Sequence, residues 1–134
     1  MLLKNLIDNL NPKNGNEIIK GISLNSKNIK KGNLFVAIKG TKFNGNKYIG
    51  EAISKGAKVI VYSGSLNKKY RNVIFIKVKD TRKKLAEISS RFYSKKPKNI
   101  IAVTGTNGKT SVSDFFLQIF LIQKKRAGIL GTLG

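Results

Sequence analysis

A stretch near the middle of the chain decides the fold: Tyr48-Ile49-Gly50-Glu51-Ala52-Ile53-Ser54-Lys55-Gly56-Ala57-Lys58-Val59-Ile60-Val61-Tyr62. Its first part predicts a helix that ends at Gly56, because glycine is favoured just past the last turn of a helix. Its last four residues form a continuous apolar run, which is typical of a strand buried on both faces of a parallel sheet. A helix followed directly by such a strand indicates an α/β domain.

The residues on either side of this stretch continue the pattern. Leu34–Ile38 predicts the preceding strand and Val73–Val78 the following one. Asp80 and Thr81 are placed to cap a further helix. The inner side of that helix is predicted to carry Leu85, Ala86, Ile88, Ser89, Phe92 and Tyr93. The core of the domain is predicted to contain Tyr48, Phe75, Phe92 and Tyr93.

Apolar residues at helical spacing between Leu2 and Leu10 predict one short amphipathic helix at the start of the chain.

A second unit is predicted after a break in the pattern. Ser94-Lys95-Lys96-Pro97-Lys98-Asn99 has the charge and the proline of a linker. Strand Ile100–Val103, a loop, a helix from Lys109 and strand Ala127–Leu130 would then form one βαβ unit. Since one such unit cannot cover both faces of a parallel sheet, it is interpreted as the start of a nucleotide-binding domain. The predicted domains are therefore 1–96 and 97–134.

Composition limits the chemistry of this chain. Its 134 residues include 27 Lys and Arg, 6 Asp and Glu, and no histidine, which gives a net charge of +21. Without cysteine or histidine, disulfide frameworks, zinc sites of Cys and His, and Ser-His-Asp or Cys-His catalysis are excluded. A net charge of +21 is also compatible with a basic module that binds nucleic acid, which is the alternative interpretation. The lysines are scattered and lack interleaved aromatic residues, so no specific nucleic acid is expected.

The segment with the most specific chemistry is Thr104-Gly105-Thr106-Asn107-Gly108-Lys109-Thr110-Ser111. It follows an apolar run and opens a helix, which is the setting of a phosphate-binding loop (P-loop). Glycines let successive backbone N–H groups turn toward phosphate oxygens, and the helix start adds positive potential. Lys109 is expected to reach the β- and γ-phosphates of ATP, and the Thr110 hydroxyl to bind Mg²⁺ with help from Ser111.

The same segment resembles the ATP loop of the Mur ligases, the enzymes that add amino acids to UDP-N-acetylmuramic acid in peptidoglycan synthesis. The first domain agrees in order and spacing through Asn25-Ser26-Lys27, Gly32–Gly40, Phe43-Asn44-Gly45 and Gly56-Ala57. The resemblance implies an amino-terminal UDP-sugar-binding α/β domain followed by the first βαβ unit of an incomplete central ATPase domain. The usual pattern in the family is Asp-Ser-Arg where this chain has Asn25-Ser26-Lys27, an exchange expected to weaken phosphate or ion-pair contacts there.

The resemblance also implies roles for individual residues. UDP-sugar binding is implied for Leu24, Ser26, Thr41, Lys42 and Phe43. ATP binding is implied for Gly105, Thr106, Asn107, Gly108, Lys109, Thr110 and Ser111. Lys109 is the predicted catalytic residue, and Thr110 the predicted metal ligand.

The family implies an ATP-dependent amide ligase that uses ATP and Mg²⁺ as cofactors. The ending Gly128–Gly134 resembles the members that add a diamino acid, meso-diaminopimelate or L-lysine, to UDP-N-acetylmuramoyl-L-alanyl-D-glutamate; members that add D-Ala-D-Ala are the alternative. The carboxy-terminal domain that binds the acceptor amino acid in the family is absent, so the chain alone is expected to be inactive. A cytoplasmic protein without a membrane partner is expected, because the amino terminus lacks the apolar core of a signal peptide and no apolar run approaches a membrane span. A monomer is also expected.

Overall fold

The structure, a computed structural model, describes residues 1–40, 43–66 and 70–131. The chain divides into two compact units, Met1–Lys95 and Lys96–Gly134. The first contains strands β1 (Gly21–Ser23), β2 (Asn33–Val36), β3 (Val59–Tyr62) and β4 (Ile74–Lys77), and helices α1 (Ile49–Ser54) and α2 (Thr81–Phe92). It also has 3-10 turns at Leu3–Asn5, Pro12–Asn14, Ser26–Asn28 and Gly45–Tyr48.

The four strands form one parallel sheet in the order β1-β2-β3-β4. Side chains alternate between its faces, as the pleat requires. Leu34 and Val36 of β2 pack on one face with the amino-terminal segment and Ile88 of α2. Phe35 and Ile60 pack on the other face with Ile49 and Ala52 of α1, among others. Both faces of the sheet are covered, which confirms the predicted parallel α/β fold.

The helix boundaries follow from the predicted signals. Gly56 has φ +99°, the left-handed conformation that ends α1, and its N–H donates to the Ile53 carbonyl at 2.9 Å. The Asp80 carboxylate accepts from the N–H groups of Arg82 and Lys83 at 2.8 and 3.1 Å, which caps α2. Both helix ends were therefore predictable from local sequence.

The predicted amino-terminal helix is wrong. Only Leu3–Asn5 forms a 3-10 turn, and the left-handed backbone at Asn9, with φ +56°, breaks the predicted helix. The N–H groups of Leu3 and Lys4 donate to the carbonyls of Glu17 and Gly15. Three predicted core positions are also wrong: Tyr48 and Tyr93 are exposed, and Ala86 of α2 faces solvent. The helical spacing of apolar residues near the amino terminus indicated burial, since Leu3, Leu6 and Ile7 are buried, but it did not indicate the backbone conformation.

The second unit contains helix α3 (Lys109–Ile122). The strands predicted at Ile100–Val103 and Ala127–Leu130 are not formed, so the expected βαβ unit is present only as loop and helix. A parallel strand forms only when it is hydrogen-bonded to a neighbouring strand. Residues 100–103 and 127–130 do not pair with each other or join the sheet. None of the helices within the described ranges has the length and apolar character needed to cross a membrane.

Candidate functional site

A cleft of about 450 Å³ lies where the first two strands end. Carboxyl ends of parallel strands meet at one edge of a sheet, where ligands of open α/β folds usually bind. The segment after β1 and the segment between β2 and α1 supply its walls. The lining residues are Leu24, Asn25, Ser26, Lys27, Ile38, Phe43, Gly45 and Tyr48.

The cleft has an apolar rim and a polar floor. Leu24, Phe43 and Tyr48 are large side chains that remain exposed, Phe43 to 73%. Ser26 is only 5% exposed, and Lys27 supplies a positive charge beside it. Exposed aromatic surface next to a buried hydroxyl and a cation suits a ligand with a flat ring and an anionic group.

Two turns capped by asparagine shape the cleft. Asn25 Oδ1 accepts from the Lys27 N–H at 2.9 Å, and Asn44 Oδ1 accepts from the Asn46 N–H at 3.1 Å. Asparagine and aspartate cap such turns equally well. The exchange of aspartate for Asn25 therefore preserves the turn that carries Ser26.

Gly45 packs against the end of the sheet. Its N–H donates to the Ile38 carbonyl at 2.9 Å, and a Cβ atom on Gly45 would lie 2.7 Å from the Ala37 carbonyl carbon and the Ile38 nitrogen. Real Cβ atoms essentially never approach backbone this closely. Glycine at position 45 is what allows the second turn to sit at this wall of the cleft.

Glu51 of α1 lies behind the floor of the cleft. The Ser26 hydroxyl donates to Glu51 Oε2 at 2.6 Å, and Lys55 Nζ donates to Glu51 Oε1 at 2.8 Å. These hydrogen bonds, that of Lys55 first and that of Ser26 second, hold the pKa of the Glu51 carboxyl below its ordinary value of 4.5. The carboxylate is therefore ionised at neutral pH and fixes the direction of the Ser26 hydroxyl.

The structure brings three of the five predicted UDP-sugar residues, Leu24, Ser26 and Phe43, to this one cleft. Thr41 and Lys42 lie outside the described residues. Sequence reasoning did not assign Gly45 or Glu51 to the site. The Asn-Gly-Asn turn signal at 44–46 could have pointed to Gly45. No local signal points to Glu51, because its partner Ser26 is 25 residues away.

The predicted phosphate loop forms a separate candidate site in the second unit. Gly105 and Gly108 have φ of +146° and +76°, backbone conformations that residues other than glycine rarely adopt. The chain then enters α3 at Lys109, and no side chain caps this helix start. Lys109 Nζ donates to the carbonyls of Gly105 and, at 3.0 Å, Thr106. The ammonium group lies over its own loop and keeps a third proton for an anion.

The loop offers hydroxyl oxygens as metal ligands. Thr110 and Ser111 follow Lys109 in the first turn of α3. Within the described parts of the chain, no group of three or more acidic, histidine or cysteine residues is placed to hold a metal ion. Hydroxyl oxygens at a phosphate loop fit Mg²⁺ that is bound together with phosphate oxygens, and do not fit an all-protein metal cage.

The fold and the two candidate sites define the class of this protein: a parallel α/β protein with a cleft at the carboxyl edge of its sheet, followed by a glycine-containing loop that opens a helix. A family model described as "Mur ligase family, catalytic domain" matches residues 18–93, more than half of the chain. The chain belongs to the Mur ligase family.

Curated relatives are named UDP-N-acetylmuramoyl-L-alanyl-D-glutamate--2,6-diaminopimelate ligase. The protein from Rickettsia prowazekii (strain Madrid E) is 44% identical over 126 residues, covering 94% of this chain and 26% of the relative. The one from Aquifex aeolicus (strain VF5) is 42% identical over 117 residues, covering 86% and 24%. This chain spans about a quarter of the length of the curated relatives it matches.

Solved structures give the same result. A structure of UDP-N-acetylmuramoyl-L-alanyl-D-glutamate--2,6-diaminopimelate ligase matches with a TM-score of 0.69 and 26% identity, covering 100% of this chain and 28% of that one. MurF ligase from Thermotoga maritima, in complex with ADP, matches with a TM-score of 0.63 and 26% identity, covering 80% and 24%. The family and its α/β fold agree with the expectation from the sequence.

Proposed function

We propose that this chain supplies the UDP-sugar-binding domain, residues 1–96, and the start of the ATP-binding domain, residues 97–134, of an ATP-dependent amide ligase of peptidoglycan synthesis. The observation that carries the proposal is 44% identity over 94% of the chain to a 2,6-diaminopimelate ligase. The acceptor is therefore a diamino acid, in preference to D-Ala-D-Ala. A cytoplasmic monomer remains a prediction based on the family resemblance.

The proposed reaction joins a carboxylate and an amine. The γ-phosphoryl group of ATP passes to the D-glutamate carboxylate of UDP-N-acetylmuramoyl-L-alanyl-D-glutamate, which gives an acyl phosphate and ADP. The amine of the diamino acid attacks the acyl carbon, phosphate leaves, and the amine loses a proton. This chemistry needs positioning and charge neutralisation, and neither histidine nor cysteine.

Each site has a role in that reaction. Leu24, Ser26 and Phe43 would hold the UDP part in the cleft, and residues 105–111 would hold the ATP phosphates. Lys109 would neutralise charge on the transferring phosphoryl group. Thr110 would bind Mg²⁺, which supplies further charge neutralisation on the phosphates when bound.

The ATP role is tested with Lys109→Ala in the complete ligase. Turnover should fall by about 10² to 10³, the usual effect of removing one preorganised charge donor. Lys125→Ala is a matched control, because Lys125 belongs to the same unit and contacts the Phe120 ring at 5.7 Å instead of the loop. Near-normal turnover in Lys109→Ala would contradict the assignment.

The 134-residue chain gives a second test. We propose that it binds UDP and makes no ligation product, because ligation requires the parts of the relatives that this chain does not match. Product formation by this chain alone would contradict that division of labour. UDP binding that is unchanged in Ser26→Ala would contradict the placement of UDP in the cleft.

A further inference from the structure

The Ser26 hydroxyl has a single proton, and the structure shows where it goes. The proton is donated to Glu51 Oε2 at 2.6 Å. A serine hydroxyl has one donor and two acceptor lone pairs. With the proton committed to Glu51, Ser26 can only accept a hydrogen bond from a ligand in the cleft.

Glu51 is itself held from the opposite side. Lys55, one turn later in α1, donates to Glu51 Oε1 at 2.8 Å. Lys27, from the turn that carries Ser26, is the other charged group that favours the ionised carboxylate. These contacts keep the pKa of Glu51 below its ordinary value of 4.5, so the carboxylate remains an acceptor throughout the neutral range.

We propose that Glu51 is a positioning residue of the cleft: it holds the Ser26 hydroxyl as an acceptor and so selects a ligand group that donates a hydrogen bond. This inference rests on the proposed function, in which Ser26 contacts UDP. On a uridine nucleotide, the available donors are the imide N–H of the base and the ribose hydroxyls. Glu51 would then determine which ligand chemistry the floor of the cleft accepts, without touching the ligand.

The test measures the dissociation constants of the 134-residue chain for UDP and for two sets of analogues. N3-methyl-UDP lacks the imide donor, and the 2′-deoxy and 3′-deoxy forms of UDP each lack one ribose donor. One of these analogues should bind about three- to tenfold more weakly than UDP, the effect of one lost hydrogen bond. The analogue that shows this penalty identifies the group that meets Ser26.

The Glu51→Gln variant tests whether Glu51 sets the direction of the Ser26 hydroxyl. The glutamine amide can donate an N–H to Ser26, which releases the hydroxyl proton and removes the fixed direction. UDP should then bind about three- to tenfold more weakly, and the analogue penalty should shrink to less than about twofold. Glu87→Gln is the matched control: Glu87 pairs with Lys84 on α2, and the side chains of Glu87 and Glu51 are equally exposed, at 37%. This control should bind UDP and its analogues as the unchanged chain does.

A pH profile tests the same idea without any substitution. Uridine is the ligand for this test, because it has no phosphate that titrates. Its affinity for the unchanged chain should fall as pH drops through the lowered pKa of Glu51, since the protonated carboxyl no longer fixes the Ser26 hydroxyl. Circular dichroism at each pH verifies that the chain is folded. Glu51→Gln should give a flat profile over the same range.

The outcomes are distinct. An unchanged affinity and an unchanged analogue penalty in Glu51→Gln would overturn the proposal, as would a flat pH profile in the unchanged chain. Equal binding of UDP and all analogues would overturn it as well. If the unchanged chain fails to bind UDP at all, the proposed function fails first. If Glu51→Gln does not fold, the pH profile decides.

Discussion

Replacing Gly45 with alanine tests whether the wall of the cleft depends on close backbone packing. The added Cβ would lie 2.7 Å from the Ala37 carbonyl carbon and the Ile38 nitrogen, and 2.8 Å from the Ile38 oxygen. All three atoms are backbone atoms of the segment that follows β2. Backbone cannot move aside as the end of a flexible side chain can. Since ordinary contact begins at 3.4 Å, the 3-10 turn Gly45–Tyr48 must shift by about 0.7 Å.

The size of the effect follows from that displacement. Overpacking of this kind costs about 1 to 3 kcal/mol. For a unit of this size, the melting temperature should fall by roughly 4 to 20 °C. The shift also stretches the hydrogen bond from the Gly45 N–H to the Ile38 carbonyl and moves Tyr48 in the cleft wall. Affinity for UDP should therefore fall about tenfold.

Thermal unfolding followed by circular dichroism and calorimetric titration with UDP measure the two effects. Gly40→Ala is the control, because a Cβ on Gly40 would meet its nearest atom, the Phe43 carbonyl oxygen, at an ordinary 3.4 Å. It should melt close to the unchanged chain. If Gly45→Ala also melts and binds UDP like the unchanged chain, the argument from backbone contact is refuted.

Two further predictions concern the stability of the first unit. Asp80→Ala removes the cap of α2 and should lower the free energy of unfolding by about 1 kcal/mol, measured by urea unfolding. Asp80→Asn keeps a capping side chain and should lower it much less, so equal losses of stability would contradict the cap. Asp8 pairs with Arg91 through two hydrogen bonds of 2.8 and 2.6 Å, and Arg91 lowers the pKa of Asp8 below its ordinary value of 3.8. The stabilisation is present above pH 3.8 and is lost as pH falls through the lowered pKa, so Asp8→Asn should be less stable at neutral pH and should approach the unchanged chain in acid. A stability difference that does not vary with pH would contradict this linkage.

Sequence patterns predicted the elements whose signals are local. The end of α1 is set by Gly56 and the start of α2 by Asp80, and both residues act within one helical turn. The amino-terminal segment shows the limit of such patterns. Leu3, Leu6 and Ile7 are buried, as the apolar pattern predicts, but no helix forms: Leu3 and Lys4 instead donate hydrogen bonds to residues 14 and 11 positions further along.

The candidate site divides in the same way. Leu24, Ser26 and Phe43 were placed at a nucleotide-sugar site from resemblance, and the fold brings them to one cleft. Glu51 was missed because its role depends on a hydrogen bond between two segments that only the folded sheet brings together. The strands around the phosphate loop were wrongly predicted, since apolar composition alone does not provide a neighbouring strand.

The distribution of buried side chains has a consequence for the two sites. Within the described ranges, every buried residue lies between Leu3 and Ile88, in the first unit. On α3, the side chains of Phe115, Phe116 and Ile122 are exposed. The candidate cleft is thus built on a core that covers both faces of its sheet, whereas the candidate phosphate loop precedes a helix that buries no side chain fully. Because cooperative stability follows buried apolar surface, substitutions that loosen the first unit should affect the cleft and leave the conformation of residues 105–111 unchanged.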